Sequence, residues 1–198
     1  MQTTQISRKE QIIRAAEKLF RDKGFEGTSM RDIASSVDIE AASLYSHIKS
    51  KDEILEIICF GMADILIAAI DEVNDQYFNA EEKLMSAIKN HVNIIAGNLD
   101  SASVFLREWR HLTPPKHKEF VDLRKRYEEG FTKILVNGEH ENVLNAPDKK
   151  FAVLTILSAL NWIVEWYNPK GKMTPDEIAE HLADFILTGL RTKTQYDI

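Results

Sequence analysis

The sequence holds one cysteine, Cys59, so no intramolecular disulfide can form. Cys59 lies in an apolar helical run and reads as a core filler of a reduced cytosolic protein. The longest uninterrupted apolar run is Ile65 to Ile70, far short of the ~18 residues that mark a membrane span. The first residues, Met1 to Gln5, are polar and lack the apolar centre of a signal peptide. A cytoplasmic protein without a membrane partner is expected. All eight glycines stand singly, which leaves no glycine-rich phosphate loop and no G-x-S-x-G nucleophile turn. His111 and His117 are too far apart in sequence for a helical ligand pair, and His140-Glu141 lacks the second histidine of a zinc-protease pattern. Hence no catalytic residue, metal ligand or cofactor is expected, and an enzyme is the disfavoured reading.

Alternation with period two is also missing, which argues against strands. Apolar residues instead recur at spacings of three and four almost throughout. With 198 residues and 44% apolar side chains, the chain can bury roughly two thirds of its unfolded surface without cross-links. The expected fold is all-α, with about nine helices: a three-helix head at the N-terminus and a helical bundle behind it. Breaks are expected at 24–27, 38–40, 49–50, Asn79, Pro114-Pro115, Asn137-Gly138 and 168–171. A first helix is predicted over 7–23, with Ile12, Ile13, Ala16, Leu19 and Phe20 inward and Gly24 at its left-handed end. Ser29 with Asp32 is a capping-box pattern that starts a short second helix. A third short helix is predicted over 41–48. Ser50 with Glu53 opens a long fourth one. Five more are predicted near 80–98, 101–111, 115–136, 147–167 and 174–192. Thr174, Pro175 and Glu177 give the last a complete start signal.

Two short helices joined by a three-residue turn and packed on a first helix make a helix-turn-helix. Leu44 and Ile48, four apart, point inward. Ala41, Ala42, Ser43, Tyr45, Ser46 and His47 are left on the outer side, small or polar enough to enter a major groove about 12 Å wide. Any short polar helix has this pattern, so the spacing alone leaves the DNA reading open.

The run from Gly24 to Leu55, GFEGTSMRDIASSVDIEAASLYSHIKSKDEIL, resembles the TetR-type head. The matching features are GF-x-x-T-[ST], then IA, a turn, and SLY-x-H-[FIV]-x-[SN]-K-[DE]. The resemblance spans about residues 8–62. It implies that Thr28 and Ser29 meet phosphate at the start of the second helix. It places Ala41, Ala42 and Ser43 at base-facing positions, Tyr45 and His47 at backbone-contacting ones, and Lys51 where the family's phosphate-gripping lysine stands. Asp38, Glu40 and Ala42 depart from the residues common in the turn and cap. No Arg, Lys, Asn or Gln in the third helix can make a bidentate base contact, so thymine methyls and DNA shape are expected to matter.

Residues 1–52 carry nine Lys and Arg against eight Asp and Glu, and the remainder 16 against 23. The head is thus +1 and the body −7, which orients such a protein on DNA. A domain division is expected at 1–66 for DNA binding and 67–198 for ligand binding and dimerisation. The helix over 147–167 is apolar nearly all round. With Ile178, Leu182, Phe185, Ile186, Gly189 and Leu190 of the last helix, it could form a two-fold, four-helix dimer interface or an intrachain core. Thr155, Ser158, Asn161 and Glu165 form a polar stripe that could face a ligand, water or a partner helix. Arg107, Trp109, Arg110 and His111 could receive an acid or simply be a solvated face.

The stretches LREWRHL and NWIVEWYNPKG are similar to a subset of TetR-type repressors that sense acyl-coenzyme A thioesters. That similarity nominates Arg107, Arg110, Trp162 and Trp166 for the pocket. It implies a homodimeric, ligand-released repressor of a double-stranded DNA operator, whose effector is an acyl-CoA or another apolar acid. A helical adaptor that has lost specific DNA binding is the rival.

Overall fold

A computed structural model describes residues 6–192. The helices are α1 (Arg8–Lys23), α2 (Met30–Ser36), α3 (Ala41–Leu44), α4 (Lys51–Asp75), α5 (Ala80–Gly97), α6 (Leu99–Arg107), α7 (Pro114–His140), α8 (Lys149–Asn161), α9 (Ile163–Trp166) and α10 (Pro175–Leu190), with a 3-10 turn over Trp109–His111. Taken as one rod interrupted at Trp162, α8 and α9 bring the helices among the described residues to the expected nine. The sole β feature there is an isolated antiparallel bridge between Leu144 and Arg191.

The chain packs into two compact units. One comprises residues up to Ala63 together with Leu99–Val121; the other comprises Asp64–Asn98 and the chain from Asp122 onward. A division by packing thus differs from a single cut after residue 66, because α6 and the start of α7 pack with the head.

Local chemistry starts the helices where the sequence places them. Ser7 caps α1 by accepting from the Glu10 amide. Ser29 and Asp32 form a reciprocal capping box on α2, and Thr174 and Glu177 do the same on α10 with Pro175 in the first turn. These hydrogen bonds hold the Asp32 and Glu177 carboxyls below the usual range. Ser50 caps α4 through the Glu53 amide at 3.1 Å, but Glu53 returns its carboxylate to the Lys49 amide instead of that of Ser50. Gly24 closes α1 with φ +79, where a side chain would be strained.

Three boundaries differ from expectation. Helix α3 ends at Leu44, and Ser46 and His47 continue as a tighter winding that bonds three residues back, to Ser43 and Leu44. Asn137-Gly138 does not break α7. The glycine instead makes room for Leu144, whose Cδ1 would lie 2.6 Å from an added Cβ, and the chain turns only at Asn142, with φ +57. The predicted rod over 147–167 is interrupted at Trp162, where the Glu165 amide bonds three residues back to the Trp162 carbonyl.

In the head, α2 packs on α1 and α3 on α2. Ile12, Ala16, Phe20, Ile33, Ala34, Leu44 and Ile48 make the core, with Ile54, Leu55, Ile58 and Cys59 from α4. Burial, and secondarily Glu108, pushes the Cys59 thiol up to about 12, so it is inert filler. Helix α6 clamps α1 through polar contacts: Ser101 donates to Glu17 at 2.7 Å, and Arg21 pairs with Asp100. Burial raises the Glu17 carboxyl, and the Ser101 bond partly offsets it. Glu108 accepts from the Phe25 amide at 3.3 Å, and His111 stacks on the Phe25 ring.

The turn between α2 and α3 carries Asp38 at φ +54. A short polar side chain tolerates this conformation and a β-branched one does not. Asp38→Val is expected to cost about 1–2 kcal/mol, whereas Asp38→Gly changes stability by less than about 1 kcal/mol. Urea unfolding of the two variants checks the contrast.

Candidate nucleic-acid interface

Leu44 and Ile48 are completely buried, each contributing about 1.5–3 kcal/mol of apolar burial. They fix the α3 rod from behind. Ala42, Ser43, Tyr45, Ser46 and His47 are exposed on its other side, and Ala41 is half-buried at its start. Tyr45 is 54% exposed despite its size, so a large amphipathic ring is held out towards solvent. The Ser46 hydroxyl donates to the Ser43 carbonyl at 2.7 Å. Its proton is committed, which leaves its oxygen to act as an acceptor.

Three of the sequence-nominated side chains are engaged within the head itself. Thr28 is 1% exposed, and its hydroxyl donates to the Gly24 carbonyl at 2.9 Å. The Ser29 hydroxyl is exposed but occupied, donating to Asp32 and accepting from the Asp32 amide. Both hydroxyls are used by the fold, so neither side chain is a free donor for phosphate in this arrangement. Lys51 is half-buried. Its ammonium donates to the carbonyls of Phe25 (2.7 Å) and Thr28 (2.9 Å) and sits 4.2 Å from the Phe25 ring centroid. It therefore ties the start of α4 to the α1–α2 connection. Hydrogen bonds from a charged donor contribute about 1.5–3 kcal/mol. Lys51→Met is expected to lower stability by about 1–2 kcal/mol without DNA present, measured by urea unfolding. The salt dependence of its DNA binding reports separately on phosphate: a slope smaller by about one unit marks a lost contact.

Arg31 on α2 and Lys49 after the rod are exposed, and their side chains enter no ion pair among the described residues.

Arg107 and Arg110 belong to the first unit and are exposed there; the Arg110 guanidinium lies 4.7 Å from the Trp109 ring centroid. Trp109 itself is half-buried and stacks on Phe120 and His117. Trp162 and Trp166 belong to the second unit and are 64% and 48% exposed. The stripe residues Thr155 and Ser158 are exposed and bond back to the carbonyls of Phe151 and Leu154.

Within the second unit, α5 packs against α8, α9 and α10. The outer side of α8 and α10 carries large apolar side chains: Phe151 is 70% exposed, Leu154 43% and Phe185 80%. A groove of about 340 Å³ runs between these helices, with Phe151, Ala152, Ala159, Phe185, Ile186 and Gly189 among its lining. An added Cβ on Gly189 would meet nothing. No helix among the described residues is long and apolar enough to cross a membrane.

A buttressed, outward-facing rod on a three-helix head, joined to a helical body, defines the class: a helix-turn-helix, DNA-binding transcriptional regulator. The profile described as "Bacterial regulatory proteins, tetR family" matches residues 12–58, and the one described as "Tetracyclin repressor-like, C-terminal domain" matches residues 78–190. The chain belongs to the TetR family. It is 25% identical over 193 residues to the HTH-type transcriptional repressor KstR2 of Mycolicibacterium smegmatis, covering 96% of this chain and 94% of that one. The crystal structure of the TetR family regulator PfmR from Thermus thermophilus superposes with a TM-score of 0.82 at 32% identity, covering 89% of this chain and 97% of that one. AibR, crystallised with isovaleryl coenzyme A and operator DNA, shares the fold with a TM-score of 0.80 at 24% identity, covering 90% of this chain and 97% of that one.

Proposed function

We propose that this protein is a cytoplasmic, non-enzymatic repressor that binds a double-stranded operator as a homodimer and leaves it when a small molecule occupies the body. The observation that carries the reading is the exposed outer face of the α3 rod, braced by Leu44 and Ile48. Ala41, Ala42 and Ser43 read base edges or shape from that face, with Ser46 beside them, and Tyr45 and His47 pack on the DNA backbone. Arg31 and Lys49 supply flanking positive charge. Ser29, Thr28 and Lys51 act mainly by fixing the head. The functional domains are residues 1–66 for DNA and 67–198 for effector and dimer.

The dimer forms through α8 and α10. Their exposed phenylalanines and the groove beside them lie on one face, as a two-fold interface requires. The same face gives Trp162 and Trp166 an alternative to the pocket role nominated with Arg107 and Arg110. KstR2 bears the name of a repressor, and the AibR crystal holds an acyl-coenzyme A thioester with its operator. By analogy the effector here is an apolar acyl group carried as a thioester. Release is a population shift: the effector binds more tightly to a spacing of the two heads that misses the about 34–36 Å of one DNA turn. Helices α4 and α7 each run through both units and are continuous helical routes between them.

Selection from a random DNA library with the purified protein tests the reading. A two-fold symmetric site should be enriched. Tyr45→Ala should weaken binding to all sequences about tenfold or more, while substitutions at Ala42 or Ser43 change which site is preferred. An adaptor enriches nothing, and its residual binding falls with salt regardless of sequence.

A further inference from the structure

Among the described residues three buried side-chain polar atoms of the second unit lack a hydrogen-bond partner, Asn74 Oδ1, Gln76 Oε1 and His91 Nε2, and His91, in the middle of α5, is the titratable one. His91 is 1% exposed. Its Nδ1 lies 2.8 Å from the Tyr127 hydroxyl of α7. Its Nε2 is buried and has no hydrogen-bond partner. Burial holds the imidazole down at about 4, and the nearby Asn161 side chain opposes this only partly, so the ring is neutral at physiological pH. Burial also pushes the Tyr127 phenol up, so it keeps its proton.

These facts favour one tautomer. A neutral imidazole has one N–H donor and one bare acceptor nitrogen. Were Nδ1 the donor, Nε2 would be a bare acceptor and the Tyr127 proton would have nowhere to go. With Tyr127 donating to Nδ1, the Nε2–H is left with the Asn161 side chain as a neighbour but no hydrogen bond of normal geometry. The second arrangement leaves fewer buried groups unpaired. Most buried polar groups are paired, and leaving one unpaired costs about 1–3 kcal/mol. A buried donor held in this condition is a place where a molecule supplying an oxygen gains more than it would in water.

We infer that the His91 Nε2–H, oriented by Tyr127, is the donor that recognises an uncharged carbonyl oxygen of the effector, such as that of a thioester or ketone, between α5, α7 and α8. The inference rests on the effector reading proposed above and assigns its polar anchor. An ionised carboxylate does not suit the place, because its charge would have to be desolvated beside a neutral ring. The preference is therefore for acyl thioesters over the corresponding free acids. Asn161, half-buried near the end of α8, is the neighbouring polar side chain.

The test uses the full-length protein and matched probes: acyl-CoA thioesters from butanoyl to hexadecanoyl, and the S-alkyl-CoA thioethers in which a methylene replaces the carbonyl. Isothermal titration of the wild type should show the best thioester bound at least tenfold more tightly than its thioether. In His91→Phe/Tyr127→Phe, which removes both partners together and leaves no half-pair, the two probes should bind within twofold of each other. Unfolding midpoints and operator affinity check that this variant is folded. A wild type that binds both probes equally, a double variant that retains the preference, or a wild type that binds no probe while gripping its operator would each overturn the assignment. In all three outcomes operator binding by the dimer stands. Loss of operator selection by the wild type would instead sink the broader reading. Should the double variant fail to fold, the ¹⁵N resonances of wild-type His91 decide: an Nε2–H that does not shift when the thioester binds refutes its role as the anchor.

Discussion

Replacing Phe151 and Phe185 together with glutamate should convert the protein into a monomer and reduce operator affinity at least a thousandfold. Both rings are exposed in the protomer, by 70% and 80%, so their removal leaves no cavity and the protomer should keep its unfolding curve. In a two-fold interface each substitution enters twice, so four carboxylates would face a desolvated apolar surface. Burying an unpaired charge costs several kcal/mol per ion, more than an interface of standard size can absorb. A single head then holds half the contacts and loses the advantage of the second half-site, which acts at the high local concentration set by the first. Sedimentation velocity and mobility shift on the selected operator measure the two effects. A doubly substituted protein that still sediments as a dimer would remove α8 and α10 from the interface.

The second large effect is on stability in mild acid. Between pH 6.5 and 4 the protein should lose roughly 3 kcal/mol through His91 alone. The unfolded imidazole takes up a proton near its ordinary value of 6.5, while in the folded protein burial holds it down at about 4. Over that window the unfolded state binds more protons, so stability falls as pH falls. The carboxyls of Asp32, Glu53, Glu139, Asp176 and Glu177 are all held low, chiefly by hydrogen bonds. Their contribution is lost below the ordinary carboxylate range and so falls later in an acid titration. These groups face solvent and are screened. Glu17, raised by burial, has the opposite sign and loses stability as pH rises. Urea unfolding at fixed protein concentration from pH 6.5 to 4 reads the slope, and the His91→Phe/Tyr127→Phe protein should be flatter. Equal slopes in the two proteins would show that His91 is not the group responsible.

Much of this architecture is written locally. Ser7, Ser29, Asn79 and Thr174 cap helices because each can reach an amide three residues on, and that is visible in any short window. The inward pair Leu44 and Ile48 follows from helical spacing. What the window does not show is that the Thr28 hydroxyl is used up by the fold. Thr28 and Ser29 are adjacent and similar, yet one is buried against Gly24 and the other is locked to Asp32. Lys51 looks like a free cation until Phe25 and Thr28, more than twenty residues away, present their carbonyls to it. Gly138 reads as a helix breaker because its partner Leu144 is seen only once the chain has turned back. The His91–Tyr127 pair, 36 residues apart on different helices, leaves no trace in periodicity. Long-range pairing hides Lys51 and His91, while at Thr28 and Gly138 the partner lies nearby but is met only through the turn the chain makes.

The clamp of α6 on α1 bears on how such regulators can be recombined. A chimaera spliced after residue 66 would carry Glu17, Arg21 and Phe25 into a foreign body without Ser101, Asp100 and Glu108 to receive them. Exchanging operator specificity between relatives therefore calls for moving two stretches of sequence at once, or for rewriting only the outward residues of the rod.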